Sequence, residues 1–105
     1  MYKLTKYTLL ITPVSGAVSW NTDHFHGDLV SIHVKPTTAT TQWFFKITDP
    51  EGLEIYSSIP VVEGEMNDEE ISKAINEICT CALSAATVDE VFRVTIRVRE
   101  YQNVR

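Results

Sequence analysis

The sequence predicts a single, mainly β domain over residues 1 to 105: an antiparallel β-sandwich, jelly-roll or immunoglobulin-like, of about seven or eight strands. One short helix near residues 68 to 75 is expected beside them. Three observations carry this expectation. Val, Ile, Thr, Phe, Tyr and Trp dominate most segments, and turn-forming clusters break them at short intervals, as expected for strands on pleated, half-buried surfaces. From Val91 to Tyr101, Phe92, Val94, Ile96 and Val98 alternate with Arg93, Thr95, Arg97 and Arg99, giving a strand with one apolar and one basic face. Asp49-Pro50-Glu51-Gly52 places proline and glycine where a tight turn needs them. With 105 residues and 44% hydrophobic content, the chain can bury an ordinary core without metals or several disulfides.

Tyr2 to Thr12 reads as a strand. Leu4 falls on one parity and Tyr7, Leu9 and Ile11 on the other, so a bulge or bend is expected near Thr5-Lys6. Val14 to Trp20, interrupted by Gly16, reads as a short strand, and the polar stretch Asn21 to Asp28 as an exposed loop. Val30, Ile32 and Val34 then alternate with Ser31, His33 and Lys35 until Pro36 and the Thr-rich run end the strand. Trp43, Phe45 and Ile47, the turn, and then Leu53, Ile55, Ser57 and Ile59 make an antiparallel hairpin over residues 41 to 59. Asn67-Asp68-Glu69-Glu70 followed by Ile71, Ala74, Ile75 and Ile78 has the acidic start and spacing of a helical turn. A strand from Glu77 to Ala85 follows, with Cys79, Cys81 and Leu83 on one face, expected to pair with the last strand through the loop at 87 to 90.

Nine basic against fourteen acidic residues, a net charge of -5, argue against nucleic acid as partner, because phosphates need a surplus of Lys and Arg. The apolar run Leu9-Leu10-Ile11 is too short for a signal or a membrane span. Cys79 and Cys81, one residue apart on a strand, point the same way and read as free thiols in a reducing compartment. Asp23-His24-Phe25-His26-Gly27-Asp28 has metal-ligand types, but no defined partner pair elsewhere, and reads as solvated polar residues; no metal or cofactor is expected. Cys-x-Cys lacks the two-residue spacing of a zinc knuckle. No nucleophile elbow or phosphate-cradling glycine loop occurs, and the paired carboxylates at Glu63 and Glu65 and at Asp68, Glu69 and Glu70 read as a solvated face, so no catalytic residue is assigned and the chain reads as a non-enzyme.

The candidate interaction surface is the stripe Arg93, Arg97 and Arg99, with Arg105 beyond it, joined by Trp20, His24 and His26. Arginine suits bidentate contact with carboxylates on a partner, although such a stripe also serves as a solvated outer face paired to glutamates of a neighbouring strand. Trp43 shares the parity of Phe45 and Ile47 and reads as core, whereas Trp20 beside a polar stretch reads as a surface contact, such as a platform for a sugar ring.

Gly27-x-x-Val30-x-Ile32-x-Val34-x-Pro36, the Thr-rich loop, Phe45-x-Ile47-x-Asp49-x-x-Gly52-x-x-Ile55-Tyr56 and Ala86-Thr87-x-Asp89-x-x-Phe92-x-Val94 follow one another over residues 7 to 100. This order resembles the small β-sandwich structural proteins that tailed bacteriophages encode near their major capsid genes. The resemblance implies a virion component without enzymatic activity, made in the host cytoplasm. Such a head decoration or cement protein binds between subunits of the major capsid protein, or another virion protein, as a symmetric homo-oligomer, often a trimer. The helical character of 67 to 78 departs from that pattern. A carbohydrate- or host-surface-binding module using Trp20 and residues 21 to 28 is the alternative.

Overall fold

The structure is a computed structural model and describes residues 2–12, 17–37, 42–58, 61, 64–84 and 91–101. It is built from seven antiparallel strands: β1 (Tyr2–Ile11), β2 (Ala17–Pro36), β3 (Phe44–Thr48), β4 (Glu54–Ser57), β5 (Met66–Asp68), β6 (Lys73–Ser84) and β7 (Phe92–Tyr101). They form one sheet in the order β1-β7-β2-β6-β3-β4, with β5 added to β2. The mainly β sandwich-like class read from the sequence is the class observed.

The sheet folds on itself because β2 is twenty residues long and bulged twice. Its first half pairs with β6 from Ala17↔Ser84 to Leu29↔Lys73, and its second half pairs with β7 from Gly27↔Glu100 to Pro36↔Phe92. One extra residue interrupts the β6 ladder between Asn21 and His24, and another, Val30, interrupts the β7 ladder between Leu29 and Ser31. A single added residue reverses which parity faces the core and bends the strand. The inward set accordingly runs Val18, Trp20 and Thr22, then Phe25, Gly27 and Leu29, then Ile32, Val34 and Pro36. Each bulge is held by a hydrogen bond: the Cys79 amide donates to Thr22 Oγ1 (2.9 Å), and the Ile71 amide donates to the Val30 carbonyl (3.3 Å).

Two layers result, β1-β7-β2 with β5 against β2-β6-β3-β4. Across them Trp43 meets Phe92 edge-on with ring centroids 5.5 Å apart, and Tyr7 meets Phe25 at 4.8 Å. The core between them is Phe25, Leu29, Ile32, Val34, Trp43, Phe45, Ile47, Ile75, Cys79, Cys81, Leu83, Phe92, Val94, Ile96 and Val98. The Trp43 indole N–H donates to the Gly64 carbonyl (3.2 Å), which satisfies its one polar atom inside the core.

The alternation in β7 and β3 and the cysteine face of β6 are as expected. So is the hairpin, as β3 paired with β4. At its turn the Gly52 amide donates to the Asp49 carbonyl, and Asp49 Oδ1 accepts from the amides of Glu51 and Leu53. Gly52 sits at φ 86°, which only glycine adopts without strain.

Four expectations need correction. No helix occurs among the described residues: residue 68 ends β5, residues 69–72 are a connection outside any strand, and 73–75 begin β6. Asp68 does not start a helix; its Oδ1 accepts from the Glu70 amide two residues on, and its own backbone lies in the β2 ladder. The 21 to 28 stretch is not a loop but part of β2. β1 runs in unbroken register with β7, from Tyr2↔Tyr101 to Ile11↔Phe92, without the bulge expected near Thr5-Lys6. β6 pairs with β2 and β3, not with β7. Residues 13–16, most of the Thr-rich loop, Ile59, the 85–90 connection and Arg105 lie outside the described residues.

Candidate functional site

The arginine stripe lies on the outer face of β7, and its neighbours across the ladders are Leu10 and Lys35 for Arg93, Lys6 and Ser31 for Arg97, and Leu4 and Asp28 for Arg99. Among the described residues no glutamate stands opposite the stripe; the carboxylate that does is Asp28, across from Arg99. Arg97 Nη1 donates to Ser31 Oγ (3.4 Å), which orients the middle guanidinium. Thr95, buried at 6% exposure, sits between Arg93 and Arg97 and its hydroxyl lies 3.4 Å from that of Thr8. Lys6, Lys35, Arg93, Arg97 and Arg99 therefore share one face of a chain whose net charge is -5. Leu4 and Leu10, 59% and 65% exposed, flank them on β1. At the far rim His33 bonds the Glu65 carboxylate, and that contact, aided by Lys35, holds Glu65 below the usual carboxylate range.

His24 and His26 continue the same outer face, because they share parity with Asp28, which stands opposite Arg99. His24 Nε2 shares a hydrogen bond with Asn76 Oδ1 across the β2-β6 ladder (3.0 Å). No group of three His, Cys, Asp or Glu able to hold a metal occurs among the described residues.

The first bulge turns Trp20 to the other side. It is half-buried against Phe45, ring centroids 6.2 Å apart, and lines a cleft of about 410 Å³ between β1 and the first half of β2. Of the six residues expected to form one surface, the three arginines lie side by side on β7, His24 and His26 run along the β6-paired half of β2 on the side of Asp28, and Trp20 turns to the other side. Tyr7, Trp20 and Phe25 give the cleft aromatic walls over Val94 and Ile96, and Asn21, Thr22 and Asp23 form its lip. The Tyr7 phenol donates to Glu100, which also accepts from Thr5 Oγ1 (3.1 Å). Burial first, then this bond and the Glu100 charge, push the Tyr7 phenol up to about 12.

At the opposite open side of the sandwich, Tyr56 on β4 reaches Met66 Sδ (3.6 Å) and donates to Asp68 Oδ2 (3.1 Å) on β5. Burial and Asp68 likewise push it up to about 12. Cys79 and Cys81 are fully buried and unbridged; burial raises their thiols to about 11 and about 12, so at neutral pH they are protonated, as befits packing groups and not nucleophiles.

Sequence reasoning named the three arginines but missed Leu4, Lys6, Leu10 and Lys35, which complete their face. The signal was present in part: Leu4 falls off the parity of Tyr7, Leu9 and Ile11 because it belongs to the outer face. What the sequence did not contain was the order β1-β7-β2, which sets these residues beside the arginines. No protein-family model matches the chain, and no curated protein matches it in sequence.

Proposed function

We propose that the chain is a non-enzymatic structural protein of a tailed-bacteriophage particle, a decoration or cement protein that docks on capsid subunits as a homo-oligomer. The observation that carries this reading is the outer face of β1, β7 and β2: Leu4 and Leu10 beside Lys6, Lys35, Arg93, Arg97 and Arg99, on an otherwise acidic chain. A basic face with apolar residues at its margin suits an acidic protein surface, because opposite potentials steer the encounter and arginine grips carboxylates in bidentate fashion. The resemblance over residues 7 to 100 supplies the setting. Two measurements test it. The chain is expected among the proteins of purified particles by mass spectrometry, and failure to find it there removes the assignment. Co-sedimentation with capsids is expected to weaken as salt rises and to be lost in the Arg93→Glu/Arg97→Glu/Arg99→Glu chain.

A second reading follows from the cleft. Tyr7, Trp20 and Phe25, with Asn21 and Asp23 on the lip, combine flat aromatic faces and polar groups in the way that pyranose rings are held. A glycan array without a hit would remove it.

A further inference from the structure

β1 is the edge of its layer and is not protected as edges usually are. Among the described residues it pairs on one side only, with β7, in an unbroken ten-residue ladder. An open edge presents a row of unpaired backbone donors and acceptors, which proteins blunt by shortening the strand, bulging it, or placing proline or lysine in it. β1 is neither short, bulged nor interrupted by proline, and its lysines, Lys3 and Lys6, both lie in its first half. It exposes Leu4 (59%), Leu10 (65%) and Leu9 (45%), three of the five exposed large hydrophobic residues among the described residues.

We propose that β1 pairs antiparallel with β1 of a second copy of this chain, about a two-fold axis at Tyr7, so that the outer layer continues as β2-β7-β1-β1-β7-β2. The register follows from side-chain parity and charge. Outer-face residues of one copy must stand opposite outer-face residues of the other, so the axis passes through a residue and not between two. With the axis on Lys6, that lysine faces its own copy, a like-charge pair that destabilises a ladder. With the axis on Thr8, Leu4 faces Thr12 and Leu10 faces Lys6, which parts the leucines. With the axis on Tyr7, Leu4 of each copy faces Leu10 of the other, Thr5 faces Leu9 and Lys6 faces Thr8. That register joins each exposed leucine of β1 to an uncharged partner and moves the two Lys6 residues from directly opposite to diagonal positions, about 7 to 8 Å apart.

The arginine stripes do not oppose the contact. Three strand spacings separate the two copies of β7, about 14 Å, which exceeds the screening length of roughly 8 Å at physiological salt. The two stripes then lie on one surface on either side of the axis. In biological setting this contact rests on the oligomeric reading above; its geometry does not.

Absolute mass by light scattering over a range of concentrations tests it. The unaltered chain is expected to reach dimer mass. The Leu4→Lys/Leu10→Lys and Leu4→Glu/Leu10→Glu chains change exposed positions only. Each is expected to be monomeric with the β-sheet circular dichroism of the parent, the lysine chain melting below the glutamate chain because Leu4 and Leu10 stand across from Arg99 and Arg93, and an equal mixture of the two is expected to regain dimer mass, because the register sets each introduced lysine opposite an introduced glutamate. The single Leu10→Lys chain, with one exposed change, is expected to shift the equilibrium toward monomer and serves if a double variant does not fold. A monomer at all concentrations, a mixture that stays monomeric, or an oligomer indifferent to the substitutions overturns the contact. A trimer unaffected by them overturns it while leaving the particle reading standing; a dimer absent from particles does the reverse.

Discussion

Gly27 is the residue on which the fold turns. It pairs at once with Ile75 of β6 and Glu100 of β7, where the end of β7 crosses β2. A Cβ there would stand 2.0 Å from the Arg99 carbonyl oxygen and 2.8 Å from the Glu100 Cα, both backbone atoms that no side-chain rotation can move. Its backbone needs no special φ; the requirement is space alone. Gly27→Ala is therefore expected to destabilise the domain by about 3 kcal/mol, read as a fall in melting temperature of roughly 15 °C. Gly52→Ala provides the contrast: nothing lies near its Cβ, and the cost is confined to the strained φ of +86°, on the order of 1 kcal/mol. A Gly27→Ala chain that melts like the parent would show that β7 does not cross so closely.

At the scale of elements, the bulges of β2 decide what the sequence could and could not reveal. β7, β3 and the cysteine face of β6 keep one parity throughout, and alternation alone identified their buried sides. β2 changes parity twice within twenty residues, and Asn21 to Asp28, polar apart from Phe25, read as a loop, although Phe25 and Gly27 are buried there. Local spacing misdirected the 68 to 75 segment. Ile71, Ala74, Ile75 and Ile78 carry helical spacing, yet Ala74 and Ile78 face solvent and the Ile71 amide serves the bulge at Val30. Long-range ladder bonds, invisible in local pattern, outweighed local propensity. The basic stripe was legible for the opposite reason, since it lies on a strand of constant parity. Thr22 tests the mechanism of the first bulge. Its hydroxyl accepts the Cys79 amide and donates to the Asp23 carbonyl (2.7 Å), so Thr22→Val keeps the shape and leaves that amide without its acceptor. The expected loss is about 1 to 3 kcal/mol, with Thr22→Ser close to the parent in a denaturant titration. Equal stability of the Val and Ser chains would show that the hydroxyl does not hold the bulge.

For the whole molecule, the two layers are joined along β2 and otherwise meet at two open sides, each closed by a tyrosine. Tyr7 packs tilted against Phe25 and donates to Glu100 at one side; Tyr56 donates to Asp68, beside Met66, at the other. Both phenols are pushed up to about 12 from an ordinary 10, first by burial and then by the carboxylate each one serves. A folded-state pKa above the unfolded value means that the folded chain holds its proton where the unfolded chain releases it. The stabilisation is fully present below pH 10, and stability falls as pH rises toward 12. Ionised phenolates beside Glu100 and Asp68 would repel the groups that now accept from them, so the layers should part from both sides together. Phenolate absorbance is expected to show two tyrosines titrating late and cooperatively with loss of β-sheet circular dichroism. In the Tyr7→Phe/Tyr56→Phe chain the decline of melting temperature above pH 10 should be markedly shallower, while its melting temperature at neutral pH is lower because two hydrogen bonds are gone. An unchanged alkaline decline in that chain would mean that the layers are held by the apolar core alone, and that the tyrosines only line the openings.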